Sequence, residues 1–189
     1  MKHTASRELY AYWEERRGER PAPERADIEP GAIRQALSDT FILELTEGAD
    51  GPTFRLAGTK VCALFGRELK GESFIDLWAL TSRRPIADLL TIATEESIGT
   101  VAGVTAQSTT GDTLDLELLL LPLGIRRPPL ARTIGVLAPL ESPRCLGAGS
   151  VGALTLGSRR HVGETANTRI SPRFMAPRRS LAVHQGGRS

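Results

Sequence analysis

Residues 54–71 read FRLAGTKVCALFGRELKG. Phe54 and Leu56 alternate with Arg55, the period of a half-buried strand, and the chain then runs through Gly58 and Thr59 into an apolar helical segment, Lys60 to Phe65. Thr59 stands where an N-cap belongs, and Gly66 where a left-handed residue closes a helix. The stretch is a packing junction with no chemistry in it.

The elements around it follow from pattern. Upstream, Thr40–Thr46 is a strand, and EGADGP at 47–52 has the composition of a hairpin connection to a returning strand, Thr53–Ala57. Downstream come a short helical turn, Ser73–Trp78, and a helix from Ser82 to about Ser97 with Ile86, Leu89, Leu90 and Ala93 as its apolar stripe. The chain then returns to strands at Val101–Ser108, Thr113–Leu121 and Arg132–Leu140, with an Arg/Pro-rich loop at Ile125–Pro129. In the second of these, Leu114, Leu116, Leu118 and Leu120 share one face against Asp115 and Glu117 on the other, which reads as solvated. Leu119 and Leu121 interrupt that polar face, so the strand's end is covered on both sides.

Near the N-terminus, Leu9, Tyr12 and Trp13 recur at helical spacing, giving an amphipathic helix from Ser6 to Arg17 with Ser6 as N-cap and Gly18 as stop. Three large side chains on one short stripe serve either packing on the helix's own domain or a dimer contact. Residues 19–30, with three prolines and alternating charge, read as a linker; Pro30 can then open a short helix that buries Ile33 and Leu37.

The chain has 189 residues, which suits one domain, and only 5% are aromatic, so its core must be built from Leu, Ile, Val and Ala. All but Lys2, Lys60 and Lys70 of its 24 basic residues are arginine. The net charge of +2 conceals a split: residues 1–156 hold 17 Lys and Arg against 21 Asp and Glu, whereas 157–189 hold seven Arg against Glu164 alone. The division expected is a helix and linker over 1–30, a folded domain over 31–145 and a disordered basic tail over 146–189. Two cysteines, no secretory signal and no membrane-spanning apolar run make a cytoplasmic setting the expectation.

The order β-β, helices, β-β-β is that of a PAS domain, and particular motifs sharpen the likeness. Leu9-Tyr10-Ala11-Tyr12-Trp13 with Arg16 and Arg17, Arg25 to Pro30, Phe54 to Thr59, Phe65 to Leu69 with Gly71, and Leu77-Trp78 together resemble a bacterial family of small, stand-alone PAS proteins. The resemblance implies an α+β fold, a five-stranded antiparallel sheet with helices over one face, preceded here by the amphipathic helix. It also implies a non-catalytic sensory or regulatory module of bacterial signalling that acts through an unidentified protein partner, as a homodimer through its N-terminal helix or its sheet.

Chemistry in the chain is sparse. His3, His161 and His184 all fall in the expected tails, which leaves the core without the commonest general base, metal ligand or haem axial ligand. No catalytic or metal site is expected, nor haem. A photoreactive flavin is not expected either, because Cys62 lies in Lys-Val-Cys-Ala-Leu, an apolar context. If a small molecule binds between helices and sheet, its walls are Leu56, Cys62, Leu77, Trp78, Leu90, Leu116, Leu118 and Ile134, which without a ligand are core. Arg55 and Arg67 either bind an anionic ligand there or pair with carboxylates such as Glu68 or Asp76. The Arg-rich tail offers weak, salt-sensitive contact with anions, nucleic acid included.

Overall fold

A computed structural model describes residues 1–45, 51–124, 131–141 and 150–162. The expected loop at Ile125–Pro129, Cys145, His184 and most of the expected tail lie outside them. Nine regular elements occur in these residues: α1 (Thr4–Arg17), β1 (Thr40–Leu45), β2 (Thr53–Ala57), α2 (Thr59–Phe65), α3 (Leu80–Glu95), β3 (Gly99–Ser108), β4 (Thr113–Leu123), β5 (Ala131–Pro139) and β6 (Val151–Val162). Short 3-10 turns punctuate them, at Pro30–Ile33 and Ile75–Leu77 among others.

The strands form one antiparallel sheet in the order β2-β1-β5-β4-β3-β6. Five of them are those read from the sequence. The sixth corrects the reading of the tail: β6 pairs along β3 and buries Val151 and Leu154, so residues 151–162 belong to the folded domain. Bulges in the β3–β6 register, near Ala102/Val104 and Ala106/Ser108, break the alternation that would have marked it as a strand.

Alternation along the sheet divides the core in two. On one face Phe41, Phe54, Leu116, Leu118 and Leu120 meet Val61 and Leu64 of α2, Ile86 and Leu89 of α3, and Phe74 and Trp78 between the helices. Phe74 contacts Phe41, Phe54 and Trp78 with ring centroids 5.6–5.7 Å apart, a compact aromatic knot in an aliphatic core. On the other face Ile42, Leu119, Leu121, Ile134 and Val136 meet Leu9, Tyr12 and Trp13 of α1.

That second core corrects two expectations. Leu9, Tyr12 and Trp13 are 0%, 8% and 1% exposed within a single chain, and the Trp13 Nε1–H donates to the Pro122 carbonyl at 2.8 Å, so this stripe has no surface left for a dimer contact. Residues 19–30 are more than a linker: Ala22 and Ile28 are buried in the same core, and Tyr12 Oη donates to the Asp27 carbonyl and accepts from the Glu29 N–H. The helix begins at Thr4, capped by His3 Nδ1, which accepts from the Ala5 N–H at 3.2 Å; Ser6, the expected cap, is buried one turn inside. His3 and His161 therefore lie in the folded part; His161 Nδ1 is 3.1 Å from Thr100 Oγ1.

The junction at 54–71 follows its sequence closely. Gly58, rather than Thr59, is the N-cap residue of α2, and Gly66 closes the helix in the left-handed region at φ 65°. The Gly58 backbone passes so close to the Leu37 and Ser38 carbonyls that no Cβ fits there.

Candidate functional site

The residues expected to line a ligand site are divided between the two cores and the surface. Leu77, Trp78, Leu116 and Leu118 are packed together in the helix-side core, at most 5% exposed, while Ile134 points into the opposite core. A bulge in β2, where Arg55 is the extra residue opposite the step from Ile42 to Leu43, explains Leu56. It sets Phe54 opposite Leu43 but Leu56 opposite Ile42, on the other face of the sheet, where Leu56 is 43% exposed. Cys62 is half-buried, its Sγ 3.5 Å from Glu68 Oε1; burial and that carboxylate push its thiol pKa up, away from a reactive thiolate.

The two arginines of the junction pair with carboxylates other than Glu68 and Asp76. Arg55 reaches Glu44 at 3.6 Å and Arg67 reaches Glu72 at 3.0 Å, and both stand more than half exposed at the side chain. Glu44 also takes Arg132 at 2.8 Å, so one β1 carboxylate ties β2 to β5.

Leu90 of the expected set lines a cleft on the helix side of the sheet. This cleft, of about 300 Å³, lies between α3 and the β1–β5 pair. Helical spacing brings Ala87, Leu90, Thr91 and Thr94 to one side of α3, and β1 supplies Leu43 and Leu45, with Thr133 of β5 directly across from Leu43. Ile75 closes one end beside Gly51 and Pro52; the Phe74 N–H to Pro52 carbonyl hydrogen bond (3.0 Å) fixes that corner.

The cleft's chemistry is that of a container. Among the described residues its lining has no ionisable side chain, and two of its hydroxyls are already spent on their own helix, Thr91 donating to the Ala87 carbonyl and Thr94 to the Leu90 carbonyl. The volume is at the lower end of the ~300–1,000 Å³ range of small-molecule sites. Sequence reasoning missed Leu43, Ala87 and Thr133 because nothing local distinguishes a cleft-lining residue from a core one. The α3 repeat at 87, 90, 91 and 94 was the available signal.

Glu117, read as a solvated charge, is 5% exposed and turned toward the start of α1. Its Oε2 accepts from the Lys2 N–H at 2.6 Å and its Oε1 from the His3 N–H at 3.0 Å. Burial alone would raise its pKa; the Lys2 amide, the Ser6 hydroxyl, the His3 amide and the N-terminal ammonium together outweigh it and hold the carboxyl below its ordinary value. Among the described residues, no three His, Cys, Asp or Glu side chains come together as a metal site would require.

A family model described as PAS domain matches residues 1–138. The chain belongs to this PAS family. As a PAS domain it is a sensory or regulatory module by class, and the six-stranded sheet is the PAS sheet with one strand added beyond β3. Among solved structures it is similar to one described as "Flavin Analogue Sheds Light on Light-Oxygen-Voltage Domain Mechanism", with a TM-score of 0.45, 15% identity, and 62% of this chain and 87% of that one covered. It is also similar to "Structure of an RNA-binding Light-Oxygen-Voltage Receptor", with a TM-score of 0.43, 18% identity, and 62% and 35% covered, so the PAS domain spans about a third of that chain. The search of curated proteins found no match. No described helix is long and apolar enough to cross a membrane.

Proposed function

We propose that this PAS domain is a non-catalytic module of bacterial signalling that acts in the cytoplasm by changing its contacts with a regulatory protein partner. The observation that supports this reading is the lining of the cleft beside α3, which among the described residues offers apolar surface and committed hydroxyls but no acid, base or nucleophile. Such a site binds without transforming what it binds.

The same observation favours a second reading in which the input is a small, largely apolar molecule held between Leu43 and Leu90. A homodimer remains part of the proposal. With the α1 stripe buried, it would form through the sheet.

The test uses the full chain. Native mass spectrometry of the purified protein asks for a co-purifying mass, and partner capture compares the parent with Ala87→Phe, which fills the cleft from α3. The proposal expects a partner set that Ala87→Phe alters. Identical partners for both forms would remove the cleft as the input, and turnover of any captured molecule would overturn the non-catalytic reading.

A further inference from the structure

Of the three threonines that line the cleft beside α3, Thr91 and Thr94 have given their hydroxyl protons to α3 itself. Thr133 of β5 has not. Its side chain has no hydrogen-bond partner among the described residues, although the residue as a whole is only 2% exposed. The Trp78 indole N–H is also unpartnered but is shut off from solvent entirely, whereas the Thr133 Oγ1 is not. What little of Thr133 stays open therefore includes its hydroxyl, and it opens on the cleft that the residue lines.

Strand alternation puts it there. Thr133 shares its face of β5 with Leu137, in the helix-side core, while Ile134 and Val136 turn toward α1. Leu43, directly across on β1, Leu90 of α3 and Thr133 are the buried residues of the lining and form its floor. Leu45, at 37% exposed one of the large apolar side chains left uncovered in this fold, stands nearer the mouth with Pro52 and Ile75.

A free hydroxyl on an otherwise apolar floor selects what can sit on it. A wholly apolar occupant would strip Thr133 of water and offer nothing in return, leaving a buried polar group unpaired. An ion would fare worse, because the described lining holds no opposite charge to meet it. A neutral head group that can hydrogen-bond satisfies Thr133, and an apolar body behind it covers Leu45, Pro52 and Ile75.

We propose that Thr133 sets the specificity of this cleft, and that the ligand is a neutral molecule with an apolar body and one hydrogen-bonding head group, an alcohol or a primary amide, seated head-first on Thr133. The inference rests on the reading of the cleft as a small-molecule site and deepens it.

Isothermal titration of the full chain at neutral pH with benzyl alcohol, toluene and benzoate, one ring bearing three different heads, tests it. Saturable binding is expected for benzyl alcohol, weaker binding for toluene and none for benzoate. Thr133→Val keeps the volume and the β-branch but removes the hydroxyl; it should weaken benzyl alcohol about three- to tenfold, the worth of one hydrogen bond, without weakening toluene. Thr133→Ser retains the hydroxyl and should retain the preference for the alcohol. Ala87→Phe, which fills the cleft, should abolish binding of both. Toluene bound by the parent as tightly as benzyl alcohol, benzoate bound in preference to either, or undiminished binding of the alcohol by Thr133→Val would overturn the role of Thr133 and leave the cleft a ligand site. Binding that Ala87→Phe does not touch, or no saturable binding of any of the three, would overturn the small-molecule reading itself.

Discussion

The carboxylate of Glu117, in the middle of β4, and the backbone amide of Lys2, just before α1, are joined by a 2.6 Å hydrogen bond across 115 positions of sequence. With the His3 N–H on its second oxygen, this side chain fastens the N-terminal helix to the sheet. Glu117→Gln should lower stability by ~1–3 kcal/mol near neutral pH, the usual worth of hydrogen bonds to a charged group. Because the folded pKa lies below the ordinary 4.5, the carboxylate's contribution is complete above that value and disappears as pH falls through the folded pKa. Urea titrations should therefore show the gap between parent and variant closing on acidification. A gap of constant size down to about pH 3 would contradict the assignment.

The two tryptophans make a matched pair. Both are 1% exposed, but the Trp13 indole N–H reaches the Pro122 carbonyl whereas the Trp78 indole N–H has no acceptor among the described residues. Trp13→Phe should cost ~1–3 kcal/mol more than its lost volume alone, because a buried carbonyl is left unpaired. Trp78→Phe loses volume only. Trp13→Ala should cost ~3–5 kcal/mol while leaving the oligomeric state by light scattering as it was in the parent; dissociation at retained stability would return Trp13 to an interface.

Gly58 and Gly66 flank α2 for different reasons, and alanine separates them. At Gly66 the strain is conformational, φ being 65°, and Gly66→Ala should cost about 1–2 kcal/mol. At Gly58 the backbone conformation is ordinary, φ −68°, but the Leu37 and Ser38 carbonyls occupy the space of a side chain. Gly58→Ala should cost ~3 kcal/mol or more, since backbone cannot give way as a side-chain tip can. Thermal melts that rank Gly66→Ala as the worse variant would refute this account.

Leu154 tests whether β6 is part of the domain. It is fully buried, and its carbonyl accepts from the Ala79 N–H at 2.9 Å at the entry to α3. Leu154→Ala should cost ~2–5 kcal/mol. A residue in a disordered tail would cost nothing, so an unchanged denaturation midpoint would restore the reading of 146–189 as tail.

The sequence made the junction at 54–71 readable because its signals are local: alternation at Phe54 and Arg55, an apolar run, and a glycine in the left-handed position. It did not reveal the partner of Glu117, since a carboxylate between leucines looks the same whether it faces water or the amides of residues 2 and 3. The stripe of Leu9, Tyr12 and Trp13 announced burial but not against what, and burial in a core or in an interface leaves one identical pattern. For β6 the obstacle was the bulges, which put Val151 and Leu154 out of step while Arg159 and Arg160 lent the segment a tail's composition. The α3 cleft was illegible for a further reason. It depends on where α3 comes to rest over β1 and β5, a geometry that no stretch of sequence contains by itself.

The short span from Gly71 to Phe74 lies along the outside of β2, with the Phe54 N–H on the Glu72 carbonyl, the Gly71 N–H on the Phe54 carbonyl and the Phe74 N–H on the Pro52 carbonyl. The sheet therefore has unlike ends, one stoppered by its own chain and the other terminating in β6. Among the described residues, growth by adding strands has one place to start, at β6. Two copies that met there would use up that end of each, so association by that route would halt at a pair instead of running on into a fibre.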